Sequence, residues 1–487
     1  IKKLGIELKL DFILNHASVL SKQFQDIIAK GEESEYKDFF INWNEFWKDC
    51  GEMTEQGYIL PEEKYLKKMF FRKPGLPILM VRFPDGREIP YWNTFYQEVN
   101  YPKVSAQELM KAADLQYMQA EIIAQELSMG CPEGKKPADI LQEIVLERKA
   151  GRLTKEQITT IWNYMEQHRY YLGQMDLNIQ SPKVWEFYRE TLEKIASYGA
   201  AIVRLDAFAY APKTPGKKNF LNDPETWELL QKIHALAEPL GLTLLPEIHA
   251  AYDEKIYQTL AEKGYATYDF FLPGLVIDAI ENRRGTYLAA WAKEIVEKKI
   301  STVNMLGCHD GIPLLDLKGL LPKEEIQSLI DRIVSRGGMV KNLHGQKNLY
   351  YQVNATYYSA LGESDEKMLL ARAIQMFMPG KPQIWYLDLF AGKNDHEAVQ
   401  RAGESGHKEI NRTNLSGDQI AEGLKKDVVQ KQLALIRMRN THKAFSEGAE
   451  VTISGEESSL EIRWEYDGAY AELHVNFEEG TYTIESN

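Results

Sequence analysis

The sequence predicts a parallel β/α barrel of the (β/α)8 TIM type, with a large insertion and a small C-terminal antiparallel β domain. Three observations lead there. From residue 182 onward, short β-rich runs alternate with longer amphipathic stretches, as in a parallel sheet covered by helices. Two stretches, 17–104 and 105–172, break the alternation between its first and second strands. Residues 441–487 alternate with period two and have turn-like breaks, as a small antiparallel sheet does.

Taken in order, the front strand is "GIELKLDFIL", near 5–14. "PKVWEFYRETLEKIASYG" reads as a helix with Pro near its start and Gly closing it. Strand 201–206, helix 225–238, strand 242–248, helix 253–264 and strand 266–271 follow. Helix 286–298, strand 301–307, helices 323–336 and 365–378, and strand 381–387 complete the series. That is six strands, where a closed barrel has eight. The opening "IKKLG" reads as the end of a helix, so the first two βα units are expected to lie outside this sequence. The barrel is therefore assigned to 1–16 and 173–440, an inserted domain over its mouth to 17–172, and the C-terminal domain to 441–487. Within the insertion, 17–104 is aromatic and turn-rich. Residues 105–172 read as helical, and Ser105…Glu108 and Thr154…Gln157 match capping boxes.

Composition narrows the function. The 487 residues hold 58 basic and 71 acidic side chains, a net charge of −13, which argues against a nucleic-acid or anionic-membrane partner. Cys50, Cys131 and Cys308 lie far apart and no Cys/His spacing suggests a metal, so a reduced, cytoplasmic setting is expected. No signal peptide is evident, and apolar runs such as "YDFFLPGLVI" are too short to span a bilayer.

In a parallel barrel the loops after the strands build the active site. Those ends supply Asn15 and His16, then Arg204 and Asp206, then Glu247 with His249 just beyond, then His309 and Asp310. Side chains alternate along a strand, so Arg204 and Asp206 point to one face. Singly, each has a plain reading: a carboxylate after a strand caps a helix or meets solvent, and a lone His16 packs. Their convergence on one rim is what points to chemistry, because such groups repel and desolvate one another unless a substrate offsets the cost. Retaining glycosyl transfer needs a carboxylate nucleophile and a second carboxyl that shuttles a proton. Arg204 is expected to hold Asp206 ionised, lowering its pKa, and the apolar "LTLLP" run to raise that of Glu247.

The same residues carry a resemblance. "DFILNH", "QMDLN" (174–178), "VRLDAFAY", "LPEIH" and "LGCHD" resemble, in order, the signature segments of the α-amylase superfamily. "RKPGLP", "NLYYQVNATYYSALG", "MFMPGKPQIWY", "LFAGKND" and "EINRTN" are similar to its sucrose phosphorylase subfamily. The resemblance covers most of the chain except 105–172. It implies Asp206 as nucleophile, Glu247 as general acid/base and Asp310 as the transition-state stabiliser that grips the sugar's 2- and 3-hydroxyls. It implies that His16 and His309 bind the glucosyl ring, that Arg204 orients the nucleophile and that Arg412 reaches the far side of glucose. Tyr351 and Gln352 correspond to a mobile loop that exchanges phosphate for the leaving sugar, with Gln352 and His249 on the acceptor side. Tyr351 also has a plain reading as loop packing. Where the family holds phosphate with an arginine, this sequence has Lys73 beside Arg72, and lysine lacks the bidentate fork. The loop before Tyr351 is one residue shorter than in the family and lacks an aspartate placed near fructose.

The expected activity is a phosphorylase that moves the glucosyl group of sucrose to inorganic phosphate without cofactor or metal. It would give α-glucose 1-phosphate and fructose by double displacement. A phosphorylase of glucosylglycerol, glucosylglycerate or sucrose 6-phosphate is the alternative, followed by an intracellular α-glucosidase or transglucosidase. A non-catalytic sugar-binding protein would have lost one of Asp206, Glu247 and Asp310. The helical insert is expected to cap the acceptor side or to form a subunit contact in a homodimer.

Overall fold

Six short parallel strands form the framework of the site. In this computed structural model, which describes residues 2–69, 71, 75–95, 97–131, 135–340 and 352–487, they lie in two three-stranded sheets. The first has the order β1 (Leu8–Ile13), β2 (Ala200–Asp206), β3 (Thr243–Pro246). The second has the order β4 (Thr267–Asp269), β5 (Thr302–Asn304), β6 (Lys381–Pro382). Ile13 pairs with Asp206 and Pro246 with Leu205, so these three strands end at one level. Val203, Leu205, Leu244 and Leu245 are buried, as expected of parallel strands shielded on both faces.

The helices fall within the bounds that periodicity gives: Glu225–Ala237, Ile256–Glu262, Thr286–Glu297, Lys323–Ser335 and Asp365–Phe377. Leu272–Asn282 is a helix that periodicity does not reveal. Every residue from Leu272 to Ile280 is buried, so no polar face interrupts the run to disclose a 3.6-residue period. Its start is set by Pro273 in the first turn and by Asp269, whose Oδ1 accepts from the backbone N–H groups of Phe271 and Leu272. The run "KPQIWYL" is a strand only at Lys381–Pro382, and Tyr386–Leu389 is helical. Its partner β5 stops at Asn304, whose carbonyl accepts the last bond, from the Gln383 N–H at 2.7 Å.

The chain divides into two compact units. The first comprises 1–13, 191–209 and 227–487, and so holds all six parallel strands. It also holds a four-stranded meander of β7 (Glu450–Ser454), β8 (Ser459–Tyr466), β9 (Ala469–Asn476) and β10 (Thr481–Ser486). There Leu460, Ile462, Trp464, Ala471, Leu473 and Val475 are buried alternately with exposed or half-buried neighbours. Trp464 Nε1 donates to the Phe377 carbonyl, tying this sheet to helix Asp365–Phe377.

The second unit, 14–190 and 210–226, is built on strand Tyr170–Asp176 between antiparallel strands His16–Ser18 and Gln97–Asn100. Trp43, Trp47 and Trp92 pack in one core. Helices Ala106–Ala113, Tyr117–Gly130, Pro137–Leu146 and Lys155–His168 enclose another around Leu109, Ile123, Leu127, Ile140 and Ile161. Both expected capping boxes form. The helical stretch ends at His168 rather than 172, because Tyr170 already pairs with Asn100. Among the described residues no helix is long and apolar enough to cross a membrane, and the three cysteines are free thiols.

Candidate active site

Arg204 organises the first unit's polar cluster. It is nearly fully buried on β2, and its guanidinium meets three carboxylates. Nη1 lies 2.9 Å from Asp11 Oδ2 and 2.7 Å from Asp206 Oδ1, while Nη2 lies 2.6 Å from Glu247 Oε1. Asp206 is reached because it sits two residues along the same strand, on the same face. Glu247 follows β3 directly, and its N–H still bonds the Leu205 carbonyl, which brings it level with the end of β2. Asp11, Arg204 and Glu247 border a cavity of about 270 Å³ whose lining also includes His249, Tyr268, His309 and Asp310. Lys9 on β1 reaches into the same space, donating to the Tyr268 hydroxyl at 3.1 Å and to Gln383.

Asp310 lies on the loop after β5 and is held by two cations and an imidazole. Lys408 Nζ is 2.5 Å and Arg412 Nη2 3.1 Å from its Oδ1, with His309 Nε2 3.2 Å from Oδ2. Arg412 also donates from Nε to the His309 carbonyl, and Asn354 to the Asp310 carbonyl. His249 stacks on Phe270 with centroids 3.8 Å apart. Its Nδ1 is 3.0 Å from Asp316 Oδ2 and its Nε2 3.7 Å from Glu247 Oε1.

Protonation runs against the sequence expectation at the first two carboxylates. Burial and the neighbouring Glu247 charge push Asp206 up to about 6, outweighing Arg204. Burial would raise Glu247 too, but His249 and Arg204 together hold it below its usual value. Arg204 is divided among three carboxylates, whereas Glu247 has a second cationic neighbour; this reverses the expected order. Burial works against a charged His249, yet Asp316 and Glu247 raise it well above the usual imidazole value. At Asp310 burial is overcome by Lys408, His309 and Arg412, and the carboxyl stays well below the ordinary range.

In the second unit, His16 packs against Phe95 with centroids 4.7 Å apart, and its Nδ1 is 3.4 Å from Asn15 Nδ2. Asn15 donates to Asp176 Oδ2, and Asp176 pairs at 2.8 Å with the buried ammonium of Lys213. Thr94 donates to Asp176 from its N–H and its hydroxyl. The signature segments holding Asn15 and Asp176 thus meet in one buried network.

The chain is 47% identical over 491 residues to the sucrose 6(F)-phosphate phosphorylase of Ilumatobacter coccineus, a match covering 99% of this chain and 82% of that protein. The chain belongs to the sucrose phosphorylase family. Within the family it is also 31% identical to the sucrose phosphorylase of Streptococcus mutans, over 99% of this chain and 82% of the relative. The crystal structure of sucrose 6F-phosphate phosphorylase from Thermoanaerobacter thermosaccharolyticum superposes with a TM-score of 0.77 at 31% identity, covering 100% of this chain and 82% of its own. An α-amylase structure from H. orenii shares the fold at a TM-score of 0.54 and 15% identity, covering 98% of this chain and 71% of its own. No protein-family model matches the chain. The chain is an enzyme with the α-amylase-type barrel fold and a C-terminal β domain.

Of the expected site residues, Arg204, Asp206, Glu247, His249, His309, Asp310 and Arg412 come together in the first unit. Gln352 is also there, on a short strand paired to Ile312–Pro313 just past Asp310. His16 belongs to the second unit. Arg72, Lys73 and Tyr351 lie outside the described residues. Sequence reading passed over Asp11, Lys408 and Asp316. Strand alternation places Asp11 on the same face as Lys9, and Lys408 stands four residues before Arg412. Asp316, 67 residues from His249, gave no sequence signal.

Proposed function

We propose that the chain is a retaining glucoside phosphorylase in which Asp206 is the nucleophile and Glu247 the general acid/base. The supporting observation is that one guanidinium contacts both carboxylates, Nη1 at 2.7 Å from Asp206 and Nη2 at 2.6 Å from Glu247, which brings together the two groups that a double displacement uses. In the first displacement an Asp206 oxygen attacks the anomeric carbon of the α-glucoside. The bond to the leaving sugar breaks as Glu247 gives that sugar's oxygen a proton, leaving a β-glucosyl-enzyme. In the second, a phosphate oxygen attacks the same carbon, Glu247 takes up the phosphate's proton, and Asp206 is released. Two inversions give α-glucose 1-phosphate with net retention. Asp310, ionised between Lys408 and Arg412, supplies negative charge for the oxocarbenium-like transition state and hydrogen bonds to the 2- and 3-hydroxyls.

The donor is sucrose or its 6-phosphate on the fructosyl unit. The second is favoured by the higher identity to the relative named for it. His16 and His309 are assigned to the glucosyl ring, Arg412 to its far side, His249, Tyr351 and Gln352 to the acceptor, and Arg72 and Lys73 to phosphate. The insert, residues 105–172, caps the acceptor side or joins two subunits. A cytoplasmic location fits a reaction that consumes phosphate and gives a charged product. Mass spectrometry tests the nucleophile: Glu247→Gln incubated with α-glucosyl fluoride, whose leaving group needs no proton, accumulates a glucosyl adduct on the peptide holding Asp206. An adduct on another peptide, or none, rejects the assignment.

A further inference from the structure

Asp316 is buried, on the Leu315–Leu317 turn a few residues past Asp310, and points its carboxylate at His249 Nδ1, 3.0 Å away. The imidazole's plane is fixed by stacking on Phe270, tilted only 20°. Its other nitrogen, Nε2, is directed at Glu247 Oε1 at 3.7 Å. A carboxylate hydrogen-bonded at Nδ1 and a second one facing Nε2 favour the imidazolium, which is the cation. Glu247 thereby has cations on two sides, Arg204 and His249, while Asp206 shares Arg204 Nη1 with Asp11.

Building on the functional reading above, we propose that Asp316 is a positioning residue that keeps His249 cationic and aligned on Glu247. In the free enzyme the single proton of the Asp206–Glu247 pair then rests on Asp206. The directions of all three groups agree with this: His249 is raised, Glu247 lowered and Asp206 raised. The other charged and titratable neighbours leave the order unchanged. Asp310 disfavours ionisation of both carboxyls alike, and Tyr268 and Cys308 are pushed up and neutral. His309 is lowered and uncharged near neutrality, and Lys9 and Asp11 sit together on the β1 side of Arg204. Glu254, which faces Asp316, raises it but does not displace His249 from it. Glycosyl cleavage needs the opposite arrangement, with Asp206 ionised and Glu247 protonated. Donor binding must therefore move the proton across the pair, and Asp316 sets how strongly the free enzyme resists.

The test is the pH dependence of donor kcat/KM, which reports the glucosylation half-reaction. Its alkaline limb records loss of the pair's last proton, a macroscopic property of both carboxyls. In Asp316→Asn the cation beside Glu247 is lost, the proton is held more tightly, and that limb moves up by about one pH unit. Asp316→Glu keeps the charge and leaves the limb near its wild-type position. With α-glucosyl fluoride no alkaline limb is expected in either enzyme. Should Asp316→Asn not fold, His249→Gln is expected to give the same upward shift. A fall in rate with the limb unmoved in Asp316→Asn and His249→Gln assigns Asp316 a merely structural role and overturns the inference. NMR titration of His249 decides it without turnover: an imidazole already neutral at pH 7 overturns it, and one still protonated there supports it. Absence of turnover in the wild type would reject the functional reading while leaving this titration able to judge the dyad.

Discussion

Arg204 is the residue on which the proposed chemistry turns, because one buried cation serves Asp11, Asp206 and Glu247. Its replacement by Leu leaves three carboxylates without their shared cation and raises the pKa of Asp206 and Glu247, both of which it lowers. The expected loss in kcat/KM is about a thousandfold, measured on folded protein. Asp206, near 6 in the free enzyme, sets a second expectation. It holds the pair's single proton, which glucosylation needs on Glu247, so donor kcat/KM falls as pH increases through about 6 and that proton is lost, and a pH–rate profile checks this. Asp206, Glu247 and Asp310 are legible in the sequence because a strand's end and its alternation fix where such side chains go. The proton's location is not, since it depends on His249 and Asp316, which only the folded chain brings together.

Among the elements, helix Leu272–Asn282 was hidden by its own burial, yet it carries an ion cluster that can be tested. Glu281, near its end, meets Arg332 at 2.7 Å, Arg336 at 3.0 Å and Lys367 at 2.8 Å, joining three helical segments. Burial opposes its charge, but these cations lower Glu281 to about 2. A depressed carboxyl stabilises the fold above its unfolded pKa and less as pH falls toward the folded one. Glu281→Gln is therefore expected to cost about 3 kcal/mol at pH 7, with the difference shrinking between roughly pH 4.5 and 2. Urea titrations of both proteins across that range measure it. In the second unit, Lys213→Met strands the Asp176 carboxylate without its buried cation. It is expected to cost about 3–5 kcal/mol in the same assay, and no loss would mean that the pair is dispensable. "QMDLN" was legible as a signature, but its pairing with Lys213 was not, because the partner lies 37 positions away and reads as an ordinary loop lysine.

For the whole molecule, strand–helix alternation was enough to locate six parallel strands, and the period-two ending marked the C-terminal sheet. Two- and three-residue strands such as Ile312–Pro313 and Gln352–Asn354 stayed invisible, being too short to show any period. Family membership and the clustered carboxylates converge on glucosyl transfer to phosphate. The most direct test incubates the purified enzyme with sucrose or sucrose 6-phosphate, with and without inorganic phosphate, and assays α-glucose 1-phosphate. Product that requires phosphate and disappears in Asp206→Asn is the predicted result. Free glucose formed equally in both buffers, or product undiminished in Asp206→Asn, would contradict it.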